Sequence, residues 1–145
     1  MGFFKSMSIS SSGLSAQRLR MNTLSANLAN ANTTRTEEGG PYKRRDVVFS
    51  ATPTGSPFED FLNGTHGAQL SEVKVADIHQ DTKEPRRVYD PSHADADANG
   101  YVEMPNIQVM TEMVNMITAT RAYEANATAI NEAKQMAVKS LEIGR

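Results

Sequence analysis

The sequence predicts a mainly α fold, with two long terminal helices packed as an antiparallel coiled coil and a small irregular β region between them. Apolar residues recur every seven positions in residues 7–31, and a second apolar stripe runs through residues 107–143. Turn signals crowd the segment between the two stripes. We therefore divide the 145 residues into an N-terminal coiled-coil helix (1–35), a β/loop region (36–105) and a C-terminal coiled-coil helix (106–145).

The N-terminal stripe has a strict spacing of seven. It consists of Met7, Leu14, Met21 and Leu28, with Leu24 and Ala31 at the second heptad position. Such a repeat keeps one apolar stripe facing a partner helix. Gly13, several serines and three asparagines lower the intrinsic helix propensity of this segment. We therefore expect it to form mainly when its stripe is buried.

The C-terminal stripe is longer and follows three- and four-residue spacings. It runs through Val109, Met113, Met116, Thr120, Tyr123, Ala127, Ile130, Lys134, Ala137 and Leu141. In the first three turns a second stripe of Ile107, Met110, Val114 and Ile117 widens the apolar face, which must then be covered from more than one side. Asn106 is the predicted N-cap, and Gly144 is the predicted stop.

The middle of the chain alternates turn signals with short strand-like pieces. The turn signals are Gly39-Gly40-Pro41, residues 52–57, Asn63-Gly64, Glu84-Pro85 and Asp90-Pro91. The strand-like pieces are residues 46–50, 73–75, 86–89 and 101–102. Pieces this short predict a small β region that cannot bury a large core alone.

The composition excludes several classes of site. The chain has no Cys, which excludes disulfides, cysteine-ligated zinc, iron–sulfur clusters and thiol catalysis. No apolar run reaches the roughly 18 residues that a membrane span needs. Phe3 and Phe4 are followed by a lysine and a serine-rich stretch, which is not the pattern of a cleavable secretory signal. No nucleophile elbow, phosphate loop or dinucleotide fingerprint occurs, and we predict no cofactor.

One acidic stretch leaves a metal-binding alternative open. Asp95, Asp97, Asn99 and Gly100 match the first half of a calcium loop, but its twelfth position is Asn106 instead of the required Glu. The favoured interpretation is an acidic turn in which Gly100 takes a positive φ. A metal-binding helical adaptor that uses the Asp95–Gly100 loop remains the alternative function. The other candidate metal ligands, His66, His79 and His93, lack ligand spacing.

The charge distribution raises a weaker alternative. Residues 1–36 carry four basic and no acidic side chains, whereas residues 37–105 carry seven basic and thirteen acidic ones. A basic arm can bind nucleic acid. This arm has no aromatic platforms for bases, so we predict no nucleic-acid partner.

The chain resembles the bacterial flagellar rod and hook proteins, and within them the proximal rod proteins. Residues 10–21 (SSSGLSAQRLRM) and 24–33 (LSANLANANT) carry the signature of the whole group. The narrower resemblance rests on residues 33–36 (TTRT), 39–45 (GGPYKRR), 88–91 (VYDP), 95–102 (DADANGYV), 113–117 (MVNMI), 121–126 (RAYEAN) and 139–145 (KSLEIGR).

The resemblance implies a structural role without catalysis. Such proteins leave the cytoplasm through the flagellar type III export apparatus without a cleaved signal. They polymerise into the rod, the part of the basal body that spans the periplasm. The implied partners are other proximal rod subunits, the adaptor between rod and MS ring, the MS ring itself and the distal rod. The rod transmits torque from the MS ring to the hook.

The apolar stripes and three asparagines near the end of the first helix form the predicted assembly interface. Side-chain amides there can fix the register between subunits, as a buried Asn does in coiled coils. The predicted interface comprises Leu14, Met21, Leu24, Asn27, Leu28, Asn30, Asn32, Val109, Met113, Met116, Ile117, Tyr123, Ile130 and Leu141.

Overall fold

Two helices and two small antiparallel sheets make up the part of the chain that the computed structural model describes, residues 3–53 and 70–144. In chain order the elements are α1 (Phe3–Ala29), β1 (Arg45–Pro53), β2 (Ser71–Gln80), β3 (Arg86–Tyr89), β4 (Tyr101–Met104) and α2 (Val109–Ile143). The helices hold roughly half of the described residues, so the mainly α prediction is only partly right. The predicted Asn63-Gly64 turn and His66 lie outside the described residues, as does most of the predicted turn at 52–57.

Both helices are close to their predicted bounds, but the predicted N-cap of α2 is wrong. The cap position is Gln108, whose side chain makes no capping hydrogen bond. Ile107 just before it is buried, and Gln108 has extended backbone angles. Burial of Ile107 therefore keeps the chain extended past Asn106. The predicted stop is confirmed, because α2 ends at Ile143 and the Gly144 N–H donates to the Ser140 carbonyl.

The first sheet is a long hairpin that packs on α1. Strands β1 and β2 are antiparallel, with a register shift between Val48 and Phe49 that leaves Ala76 without a partner across the ladder. The strands extend well beyond the predicted pieces 46–50 and 73–75, because backbone pairing continues through polar residues that the apolar pattern does not mark. The Val73 N–H donates to Ser12 Oγ of α1 at 3.1 Å, which ties the hairpin to the helix.

The second sheet is short and closes around the acidic stretch. Strands β3 and β4 pair antiparallel, and the rings of Tyr89 and Tyr101 meet edge to face with centroids 5.3 Å apart. Gly100 has φ +79°, as the turn interpretation predicts, and a Cβ there would lie 3.0 Å from the Tyr89 ring. Both the backbone angle and the lack of space require glycine at this position.

The two helices pack side by side in opposite directions. Near one end, a Cβ on Gly13 would lie 3.1 Å from the Asn126 side chain. Further along, Thr120 Oγ1 lies 3.5 Å from Met21 Sδ, and near the other end Asn27 bonds to Glu112. Residue numbers rise along α1 while they fall along α2, so the pair is antiparallel. Supercoiling of the coiled-coil type remains a prediction.

Helix α1 is the centre of the packing. Among the described helices and strands, α2 packs only against α1, whereas α1 also packs against β1 and β2. Neither helix is long and apolar enough to cross a membrane within the ranges 3–53 and 70–144. The large apolar side chains left outside this packing are therefore the first candidates for contacts with other molecules.

Candidate assembly site

A buried group of polar side chains, the polar cluster, joins the end of α1 to the start of α2. It consists of Asn27, Tyr42, Arg44, Glu112 and the backbone of Arg45. The Asn27 amide nitrogen donates to the Arg45 carbonyl at 2.7 Å and to Glu112 Oε2 at 3.0 Å. Its amide oxygen accepts from the Arg45 N–H at 3.0 Å and from the Tyr42 hydroxyl at 3.2 Å. All four hydrogen-bonding positions of the Asn27 side chain are thus used within the chain.

Glu112 carries the charge of the cluster and is 1% exposed. Arg44 Nε donates to Glu112 Oε1 at 2.8 Å, and Arg44 Nη1 lies 3.1 Å from Asp46 Oδ2. Partial burial works against the charged guanidinium, but its bonds to Glu112 and Asp46 outweigh burial and raise the pKa of Arg44. Each Glu112 oxygen therefore has a partner, as a buried carboxylate requires.

The rest of the contact between the helices, here called the helix seam, includes several small residues beside the Met21–Thr120 contact. Gly13 and Ala16 of α1 are buried, as are Ala119 and Ala133 of α2. Glu112, Ala119, Asn126 and Ala133 follow one another at intervals of seven. Small side chains at this spacing let the backbones approach closely. The approach is tightest at Gly13, where even one added carbon would press on Asn126.

The first half of α2 presents a second apolar face, the apolar strip, on the side away from α1. It consists of Met110, Met113, Val114 and Ile117, which are between 47% and 74% exposed. At about 100° per residue, Met110 and Ile117 point roughly opposite to Glu112 and Ala119. The first turns of α2 therefore have an apolar side that faces away from α1 and that the chain itself leaves uncovered.

The same face of α2 becomes polar after Ile117. Continuing the three- and four-residue spacing from Ile117 leads to Arg121, Glu124 and Thr128, all exposed. Beyond them, near the C-terminus, Leu141 is again largely exposed. The apolar strip is thus a patch of about two turns, which Arg121 and Glu124 follow on its C-terminal side.

The residues predicted for the assembly interface fall into three groups in the structure. Leu24 and Asn27 are buried within the chain. Leu14, Met21, Leu28, Asn30, Met116, Tyr123 and Ile130 are half-buried. Asn32, Val109, Met113, Ile117 and Leu141 are exposed. Only the last group lies free on the surface of the single chain, and Met113 and Ile117 belong to the apolar strip.

The three asparagines near the end of α1 have different surroundings. Asn27 lies in the polar cluster. The Asn30 amide nitrogen donates to the Ala26 carbonyl at 2.9 Å, and its oxygen accepts from the Thr33 hydroxyl at 3.2 Å. Asn30 therefore helps to end α1, whereas Asn32 is exposed.

The acidic stretch forms a turn held by its own side chains. Asp97 Oδ1 accepts from the N–H of Tyr101 at 3.0 Å and of Asn99 at 2.8 Å. These bonds, the one from Tyr101 first, lower the pKa of Asp97. Asp95 accepts from the Thr34 hydroxyl at 2.7 Å. Nowhere in residues 3–53 and 70–144 do three His, Cys, Asp or Glu side chains come together as a cation ligand set. The metal-binding alternative is not supported.

Sequence reasoning missed the polar cluster and the helix seam. A carboxylate at 112 in the first turn of a helix looks like a solvated residue that favours the helix dipole. The available signal for the side of α2 that faces α1 is the spacing of seven, which joins Glu112, Ala119, Asn126 and Ala133. A search for apolar stripes does not detect it, because alanines and a glutamate do not form an apolar stripe.

Family models match both ends of the chain, and full-length relatives match nearly all of it. Residues 7–35 match the family described as flagella basal body rod protein, and residues 98–143 match the C-terminal family of flagellar basal body rod FlgEFG proteins. The two matched segments contain α1 and α2 respectively, apart from the first residues of α1. The matches therefore fall on the helices that build the helix seam and the apolar strip and that supply Asn27 and Glu112 to the polar cluster. Tyr42, Arg44 and Arg45 lie outside the two matched segments.

Full-length relatives narrow the assignment. The flagellar basal-body rod protein FlgC of Borreliella burgdorferi is 43% identical over 99% of this chain and 98% of its own length. FlgC of Bacillus subtilis is 43% identical over 98% of both chains, and FlgC of Salmonella typhimurium is 38% identical over 94% of both. Identity at this level over nearly the whole length shows common descent and fold. The chain belongs to the FlgC family of flagellar basal-body rod proteins, and it is a structural subunit of the flagellar rod.

Proposed function

We propose that this rod subunit polymerises through its terminal helices, with neighbouring subunits covering the apolar strip. The supporting observation is the apolar strip on the first half of α2, which α1 leaves uncovered. Four large apolar side chains in two turns would face water if the chain acted alone. Exposed patches of this kind mark interaction sites.

The neighbours that this proposal assigns are other proximal rod subunits, the adaptor between rod and MS ring, the MS ring and the distal rod. Torque from the MS ring then passes to the hook through contacts between subunits, and no reaction is catalysed. The subunit reaches the rod through the flagellar type III export apparatus. Few large apolar side chains are buried in the described part of the chain, which supports such a route, because little large apolar surface must be exposed when the chain unfolds for passage.

The test places a charge in the apolar strip. Ile117→Asp puts a carboxylate on a side chain that is 55% exposed, so the subunit itself keeps its fold while a covering neighbour would have to bury an unpaired charge. Thr128→Asp is the matched control, since Thr128 is exposed on the same face of α2 in its polar half. Leu28 and Ile130 are less suitable positions because both are half-buried within the chain.

Each variant replaces the natural chain in cells that lack it. We expect Ile117→Asp cells to be non-motile, with basal bodies that show rings but no rod by electron microscopy. Thr128→Asp cells should swim. Circular dichroism of the purified chains should give the same helical content for both. Complete rods in the Ile117→Asp cells would refute the proposed role of the strip.

A further inference from the structure

We propose that the polar cluster acts as a register lock, which selects one alignment of α1 on α2 from alignments that differ by a heptad. The proposal concerns the fold of the single chain and does not depend on the proposed assembly through the apolar strip. It rests on the helix seam, the helix lengths and the bonds of Glu112.

The small residues of the helix seam do not by themselves distinguish neighbouring alignments. Sliding α1 by seven residues toward the C-terminal end of α2, about 10.5 Å, would bring Gly13 from Asn126 to Ala133. The same slide would bring Met21 from Thr120 to Ala127. Because Ala133 and Ala127 stand one heptad beyond Asn126 and Thr120, Gly13 and Met21 would again meet small side chains on α2.

The helix lengths allow the same shift. Helix α2 has 35 residues and α1 has 27, so α2 is longer by eight, which is more than one heptad. In the observed alignment the last turn of α2 runs past the start of α1, and Leu141 and Ile143 there are 76% and 87% exposed. A shift in that direction would keep α1 paired along its whole length.

No other described element holds α2 in place. The β1–β2 hairpin packs on α1, while α2 packs against α1 alone among the helices and strands described. Arg44 and the backbone of Arg45 follow α1, because Asn27 binds the Arg45 N–H and carbonyl directly. The bonds of Glu112 to Asn27 and Arg44 are therefore the buried polar contacts by which the α1 unit holds the start of α2. Further along the pair, Arg18 also donates to the Tyr123 hydroxyl, but this bond is exposed and long at 3.4 Å.

The heptad shift would break these bonds and replace them with nothing equivalent. Asn27, which is 0% exposed, would face the methyl group of Ala119. Glu112 would lose both Asn27 and Arg44. A buried polar group without its partner is costly, whereas a satisfied pair adds little net stability, so such a cluster acts by penalising wrong alignments.

Cross-linking measures the alignment directly, because the chain has no natural Cys. One form of the full chain carries Met21→Cys with Thr120→Cys, which reports the observed alignment. A second form carries Met21→Cys with Ala127→Cys, which reports the heptad shift. A short bismaleimide reacts with each purified form. We expect the first form to yield at least about ten times more intramolecular product, a ratio that corresponds to about 1.4 kcal/mol.

The lock is then removed without leaving a lone charge. Arg44→Met with Glu112→Leu deletes both charges together, and the bonds of Asn27 to the Arg45 backbone stay in place. We expect the product ratio to fall by about tenfold or more, at unchanged helical content. Arg87→Met with Glu103→Leu is the matched control, because this exposed ion pair at 3.4 Å joins β3 to β4 and contributes nothing to the seam. The control should keep the original ratio.

A relocated carboxylate supplies the second variant. Glu112→Leu with Ala119→Glu moves the partner of Asn27 and Arg44 by one heptad, so we expect the shifted product to exceed the native product. Four outcomes would overturn the proposal. With the polar cluster intact, no cross-link between positions 21 and 120 would form; or, after Arg44→Met with Glu112→Leu, the ratio of the two cross-linked products would not change or the helical signal would be lost. The fourth is that the product of positions 21 and 120 still exceeds the product of positions 21 and 127 when the carboxylate is moved to position 119.

Discussion

The two ends of the helix pair are held by opposite means. At one end Asn27, Arg44 and Glu112 form directional bonds in which every buried polar atom of Asn27 and Glu112 has a partner. At the other end Gly13 and Asn126 simply come close, and the contact depends on the absence of a side chain. The difference teaches that the close approach of the helices and the specificity of their alignment have separate sources in this molecule. Small residues bring the helices together, while polar bonds specify where they meet.

The largest effect is expected from breaking the polar end. Glu112→Ala leaves Arg44 and Asn27 without their shared partner, and it should lower the free energy of unfolding by about 3 kcal/mol. The partly exposed side chain of Arg44 keeps the cost from being larger. Urea unfolding followed by circular dichroism measures the change. A loss below about 1 kcal/mol would mean that solvent replaces the lost bonds and that the two ends differ less than the geometry indicates.

A bulky residue at the close end should cost somewhat less. Gly13→Leu forces the helices apart at a point where one added carbon already lies 3.1 Å from Asn126. We expect a loss of about 2 kcal/mol in unfolding free energy, measured in the same urea titration. Ser15→Leu, on the exposed side of α1, is the control and should change stability little. Equal stability of the two variants would show that the seam at Gly13 is loosely packed.

A gain in stability is expected when the steric restriction at the Gly13–Asn126 contact is removed. Gly13→Ala alone combines better helix propensity with pressure on Asn126, whose side chain is held by its bond to the Ala122 carbonyl at 2.9 Å. With Asn126→Ala added, the pressure disappears and the propensity gain of about 1 kcal/mol remains. The double variant should therefore be more stable than Asn126→Ala alone. If the double variant and Asn126→Ala alone were equally stable, a contact other than the one with Asn126 would be what requires glycine at position 13.

The smallest effect on stability is expected from the exposed Arg87–Glu103 ion pair, which serves as a comparison for the buried Arg44–Glu112 pair. Glu103→Ala removes an exposed partner of Arg87, and the two side chains are 47% and 69% exposed. The expected change in unfolding free energy is below about 0.5 kcal/mol. Comparison with Glu112→Ala isolates the role of burial, since the same acid–guanidinium chemistry is removed in both. A loss comparable to that of Glu112→Ala would contradict the view that burial makes the difference.

Helices and their direction were predictable because their signals are long. The seven-residue repeat from Met7 to Leu28 and the stripe through Tyr123 and Ile130 each extend over many turns, so local irregularities do not hide them. The family was also predictable, since the motifs that carry it span nearly the whole chain. The wide apolar face of α2 was expected to need cover from two sides, and the apolar strip is the side that α1 leaves open.

The side of α2 that packs against α1 was not predictable by the same reasoning, and neither was the polar cluster. An apolar stripe identifies the residues that avoid water, but in this chain alanines and a glutamate face α1 while Met113 and Ile117 point away from it. The larger apolar side chains of the first turns of α2 are therefore exposed in the single chain. The partners of Asn27 come from residues 42–45 and 112, and no local pattern reports contacts so distant in sequence.

The bond between Asn27 and Glu112 also bears on how fast the chain folds. It joins residues 85 positions apart, so the two helices meet only after a long loop has closed, and that closure is a loss of chain entropy that precedes any gain from the contact. The β3–β4 hairpin pairs residues only a short distance apart. We therefore expect folding of the single chain to be limited by the encounter of its two ends, with local hairpin pairing complete before the helices dock.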